Sequence, residues 1–195
     1  MEKLLKSTIK GFDIGNINFN SFGSSSIWEG CFEKKNVFSL SLIENSINIV
    51  KSFFGPCWEG FFAISALSYD DDCEKDEEIE KCYGKLYEKA KKTGYLRELD
   101  SDFESYLYGE IPLPASSLSL HFKREDYSDM CRLLMGHGGV VGQVFFLINL
   151  EIGIAIYPHG DIGFGFISFN ENECLCKNIL KEMHKYENDF VVINK

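Results

Sequence analysis

The sequence predicts an α+β fold, a mainly antiparallel sheet with flanking helices, and three observations carry that reading. Several segments place apolar residues at helical spacing between recognisable capping and stop signals. A run of short apolar segments near the C-terminus, Val140 to Leu150, Gly153 to Tyr157 and Ile162 to Phe169, is separated only by tight turns, as in an antiparallel meander. The apolar share of 45%, with 17 phenylalanines in 195 residues, is ample for a packed core and argues against disorder. Residues 1–195 are read as a single domain, with a subdomain split near residue 112 as the alternative.

The first strand is Ile27 to Glu33, after a Gly/Ser turn at Gly23 to Ser26. Ser41 and Glu44 have capping-box spacing, and Ile43, Ile47, Val50 and Phe54 follow at helical period until Gly55-Pro56 stops the helix. Trp58 to Leu67 reads as a buried strand. A second helix spans roughly Glu74 to Thr93, with Ile79, Tyr83, Leu86 and Ala90 on its apolar face. Acids crowd its first turn and Lys89, Lys91 and Lys92 its last, the order that complements the helix dipole. Tyr95 to Gly109 fits helix or loop equally. Pro112 and Pro114 mark a loop, Ser116 to Phe122 a short strand, and Glu125 to Met135 a helix with Tyr127, Met130 and Leu134 inward. After the meander, Asn170 and Glu173 are placed to cap a last helix with Leu175, Ile179, Met183 and Tyr186 inside, and Phe190 to Ile193 closes the chain as a strand.

Composition narrows function more than any motif does. Eight carboxylates (Asp70, Asp71, Asp72, Glu74, Asp76, Glu77, Glu78 and Glu80) stand within eleven residues, opposed only by Lys75, in a chain of net charge −10. Such a block repels a nucleic-acid backbone and suits a basic protein, a cation or water. Lys and Arg total only 20 and form no basic face, so nucleic-acid binding is not expected. No apolar run is long enough to span a membrane, and the N-terminus lacks the apolar core of a signal peptide. Seven cysteines without regular spacing read as reduced thiols in a cytoplasm.

The candidate partner-binding residues are therefore Asp70, Asp71, Asp72, Glu74, Asp76, Glu77 and Glu78, extended by Glu98, Asp100 and Asp102 if the segment from Tyr95 to Gly109 packs alongside. Tyr95, Phe103, Tyr106 and Tyr108 are then candidate anchors, because aromatics at a charged rim dominate many interfaces. Other motifs point to structure. Gly136 to Gly142 has the glycines of a phosphate loop but the wrong order, a helix ending and a strand beginning. The acidic run lacks the glycine and terminal glutamate of a calcium loop. Cys174-x-Cys176 lies at a helix start, where the dipole lowers a thiol pKa, yet its two-residue step points the thiols apart. The four histidines (His121, His137, His159 and His184) form no paired ligand spacing, and His159-Gly160-Asp161 reads as a polar hairpin tip. No catalytic residue, metal ligand or cofactor is assigned.

Taken together, the strand Trp28-Glu29-Gly30-Cys31-Phe32-Glu33, the helix ending Ile49-Val50-Lys51-Ser52-Phe53-Phe54-Gly55, the strand Glu59 to Leu67, Phe145-Phe146-Leu147-Ile148-Asn149, Ala155-Ile156-Tyr157-Pro158-His159-Gly160-Asp161 and Tyr186-Glu187-Asn188-Asp189-Phe190 have a recognisable order. The order resembles a bacterial domain-of-unknown-function family, of the 3885 type, whose members often lie near polymorphic toxin genes. Some of its members are suspected immunity proteins of contact-dependent growth inhibition. Pro158-His159-Gly160-Asp161 stands where that family has an Asp-Asp-Arg-Gly-like turn, and Phe190 where it has a Trp. The resemblance implies no catalytic residues. It implies a cytoplasmic immunity protein whose partner is a cognate toxin with a basic surface, a nuclease foremost. A small enzyme built around a histidine and a regulatory binding module are the alternatives.

Overall fold

A computed structural model describes residues 14–74, 76–169 and 174–195. An eight-stranded, mostly antiparallel sheet forms its centre: β1 (Trp28–Lys34), β2 (Phe62–Tyr69), β3 (Arg97–Glu98), β4 (Ser119–His121), β5 (Val140–Asn149), β6 (Ile154–His159), β7 (Gly163–Ser168) and β8 (Phe190–Asn194). The order across the sheet is β3-β2-β5-β6-β7-β1-β8, and β4 pairs with β2 on the edge that β3 also uses. Strands from either side of residue 112 are thus interleaved in one sheet, with β2 on β5 and β1 on β7. Among the described residues one strand pairing is parallel, β2 with β3, and it follows a helical crossover.

Five α-helices are described: α1 (Leu40–Phe54), α2 (Glu77–Lys92), α3 (Ser101–Leu107), α4 (Tyr127–Gly136) and α5 (Cys174–Glu182). The pleat sorts the side chains of β5 alternately. Phe145 and Leu147 join one core with residues of α1, α2, α4 and α5, whereas Val144, Phe146 and Ile148 join a second with Ile17, Phe103 and Tyr106. Four helices therefore cover one face, and α3 with the segment around Ile17 covers the other.

Several boundaries differ from the sequence reading. The cap of α1 is Ser39, whose hydroxyl accepts the Leu42 N–H, and not Ser41. With Ser39 as the cap, Glu44 stands two residues beyond the position that closes a capping box, and its carboxylate accepts from Arg132 of α4 at 2.7 and 2.8 Å instead. The strand expected from Trp58 begins at Phe62, because Gly55 to Gly60 continues from α1 as a 3-10 turn. The short strand after the prolines is only Ser119–His121. Tyr186, expected inside, is 40% exposed, and Cys176 and Leu180 complete the inner face of α5 instead. The proposed cap of Asn170 and Glu173 and the lone opposing charge of Lys75 lie outside the described residues.

Candidate functional site

The acidic segment starts where β2 runs out. The Asp70 N–H donates to the Gly139 carbonyl at 2.9 Å, tying the loop to β5, and its carboxylate accepts the Asp72 N–H at 2.9 Å. Asp71 accepts from Lys91 Nζ at 2.7 Å and from the Tyr87 hydroxyl at 3.1 Å. Asp76 is the N-cap of α2, accepting the N–H groups of Glu78 and Ile79, and Glu77, Glu78 and Glu80 fill the first turn beside the positive end of the dipole.

The sheet brings one acid of the second segment, Glu98, beside the end of β2 where the acidic run starts, whereas Asp100 and Asp102 go with α3 to the sheet face opposite α2. Glu98 is the register partner of Tyr69 and accepts its hydroxyl at 3.3 Å. Two residues on, Asp100 caps α3 through the Phe103 N–H at 2.8 Å, with Asp102 in the first turn. All ten candidate acids are exposed. Lys91 sits inside this surface, 4.6 Å from the Tyr69 ring centre, where the basic end of α2 meets the acidic loop. Asp70, Asp71, Asp76, Glu98 and Asp100 thus also hold the fold, a division of labour the sequence did not reveal.

The aromatic anchors are mostly not at the surface. Tyr95, Phe103 and Tyr106 are buried: Tyr95 stacks on the His121 ring at 3.9 Å, and the Tyr106 hydroxyl donates to the Phe19 carbonyl at 2.7 Å. Only Tyr108 among the four stands out, 76% exposed. Their spacing at 103 and 106 on one side of a short helix was the available signal for burial.

A cleft of about 310 Å³ opens within the acidic surface, lined by Cys73, Glu74, Asp76, Glu80 and His137 among others. His137 stacks on Tyr87 at 4.1 Å. Its Nδ1 accepts the Gly139 N–H at 3.2 Å, which leaves the proton on Nε2, 3.4 Å from the Glu80 carboxylate. The glycines around it serve close packing: a Cβ at Gly139 would lie 2.8 Å from the Tyr87 hydroxyl and one at Gly136 2.9 Å from Ile43. The helix-then-strand order read from the sequence is the observed one, with α4 ending at Gly136 and β5 beginning at Val140.

The remaining titratable groups divide between core and hairpin. His121 Nε2 lies 2.8 Å from the Ser65 hydroxyl, and burial, helped by the Arg97 charge, lowers its pKa to about 4. Burial pushes the Cys176 thiol up to about 12, against the activation that its place near a helix start suggested. His159 Nε2 lies 3.2 Å from the Phe32 carbonyl, and burial lowers its pKa as well. At the adjoining turn Asp161 pairs with Lys34 at 3.3 Å, and fully buried Ile162 takes φ of 53°, a strained conformation for a β-branched residue. The polar turn expected from His159-Gly160-Asp161 is therefore also packed against β1. Among the described residues no helix is long and apolar enough to cross a membrane. No protein-family model, curated protein or solved structure matches the chain.

Proposed function

We propose that this chain is an immunity protein that binds and neutralises a cognate toxin, a nuclease domain, through its acidic surface in the cytoplasm of the cell it protects. The observation that carries the reading is the exposure of all ten carboxylates, with Glu98 set beside the start of the acidic run by its pairing with Tyr69. A toxin that cuts nucleic acid presents a basic cleft to its substrate, and a surface of this charge competes for that cleft and speeds association. Of the four candidate anchors Tyr108 is the exposed one, available to anchor such a contact. Against an enzyme built on His121 or His137, each of these rings is stacked on a buried tyrosine in a contact that serves packing.

The test is co-expression with the C-terminal domain of a large secreted protein encoded beside this gene. Growth rescued by the chain, with a one-to-one complex recovered at low salt, is the expected result. Undiminished toxicity with no complex would overturn the proposal.

A further inference from the structure

Outside the acidic surface, three metal-ligating side chains converge at one end of the sheet. Glu33 of β1, His159 of β6 and Asp161 of the following turn each offer one donor atom, and these atoms lie within 4.8 Å of one another. They come from two places in the fold, the end of β1 and the β6–β7 turn, and the sheet itself sets the spacing between the two. His159 is the register partner of Gly163 in β7, and Phe32 of β1 pairs with the next residue, Phe164. Gly163 therefore stands between Glu33 and His159 with no side chain to separate them. A Cβ there would lie 1.8 Å from the Phe32 carbonyl oxygen and 2.8 Å from the Glu33 Cα, so only glycine lets β1 come this close.

The imidazole is oriented as well. With Nε2 3.2 Å from the Phe32 carbonyl, that nitrogen must carry the proton, and Nδ1 keeps its lone pair. A backbone carbonyl holding one ring nitrogen is the usual support for a histidine that ligates through the other. The Asp161 backbone is fixed too, since its carbonyl accepts the Lys34 N–H at 2.9 Å.

We propose that Glu33, His159 and Asp161 form a divalent transition-metal site of the kind that takes Zn²⁺, with one imidazole nitrogen, two carboxylate oxygens and open positions for water. The mixed nitrogen and oxygen set suits a borderline ion better than Mg²⁺ or Ca²⁺, which prefer oxygen alone. Bonds of about 2.1 Å at tetrahedral angles put ligand atoms about 3.4 Å apart. Donor atoms within 4.8 Å of one another therefore need to close by at most about 1.4 Å to reach that spacing. The cation now paired with Asp161 is Lys34 Nζ, and a metal ion takes its place.

Co²⁺ is the spectroscopic probe and Zn²⁺ the calorimetric one, both on the full chain with its thiols reduced. One equivalent of Co²⁺ should give ligand-field bands without sulfur-to-metal charge transfer. Glu33→Gln and Asp161→Asn should each weaken binding at least about tenfold. Lys34→Gln should tighten it, because a competing cation is removed. His159→Gln should abolish it, and the two carboxylate variants keep the test valid if that protein folds poorly. Absence of saturable binding, binding undiminished in both carboxylate variants, or thiolate charge-transfer bands would overturn the site.

Discussion

Acidification should destabilise this protein through His121, and the size of the effect follows from its surroundings. The imidazole is stacked on Tyr95, bonded to Ser65 and faced by the Arg97 guanidinium, with Asp126 as the opposing carboxylate and the Tyr127 hydroxyl on its own carbonyl. Its folded pKa of about 4 lies below the ordinary 6.5, so between those values the unfolded chain binds a proton that the folded chain refuses. Stability is therefore full above pH 6.5 and falls as the pH drops towards 4. At about 1.4 kcal/mol per pH unit the whole interval corresponds to about 3 kcal/mol, which partial solvent exposure reduces to about 1–2 kcal/mol. The assay is urea unfolding at half-unit steps from pH 7 to pH 4.5, on the native chain and on His121→Gln. The variant loses a stacking partner and a hydrogen bond, so its curve is lower throughout, but it should be flatter by the stated amount. Parallel curves would refute the assignment, because a purely structural role moves the offset and leaves the slope alone.

Asp76→Ala should cost about 1 kcal/mol in chemical denaturation, as expected for an N-cap, and Asp76→Asn should restore most of it. Arg132→Met should cost about 1 kcal/mol by separating α4 from the Glu44 carboxylate on α1, and Glu44→Gln in the same chain should recover part of the loss. Gly165→Ala should lower the thermal midpoint, since a Cβ there would lie 2.1 Å from the Tyr157 ring that Trp28 holds by its indole N–H; a strain of about 1–3 kcal/mol is expected, and an unshifted midpoint would mean the ring is free to move.

What the sequence made legible was whatever is local. The β5–β6–β7 meander stood out because its turns are short and its apolar runs sharply bounded, and α1 and α2 because their period and stop signals agree. The misread cap of α1 shows the limit. Ser39 and Ser41 are both caps by type, and the Glu44 that pointed to Ser41 is held instead by Arg132, far along the chain. The strand β3 is two residues long and exists only because α2 returns it to the edge of β2, so no periodicity could announce it. The acidic surface was half legible: the run was plain, but the approach of Glu98 to it depends on that same pairing. The grouping of Glu33 with His159 and Asp161 was invisible for the same reason. A histidine and an aspartate two residues apart read as a turn, and only the register of β1 across Gly163 supplies the third group.

The most direct test of the account is the association rate with the toxin partner, measured by stopped flow across a range of salt. Asp72, Glu74, Glu77, Glu78 and Asp102 are the acids to reverse to lysine, because Asp70, Asp71, Asp76, Glu98 and Asp100 also hold the fold. Five reversals bring the formal charge of −10 to neutrality. The account predicts an on-rate at least about tenfold lower at low ionic strength, with the salt dependence flattened and the dissociation rate changed far less. An on-rate and salt slope equal to those of the native chain would contradict it and put the interface on another face.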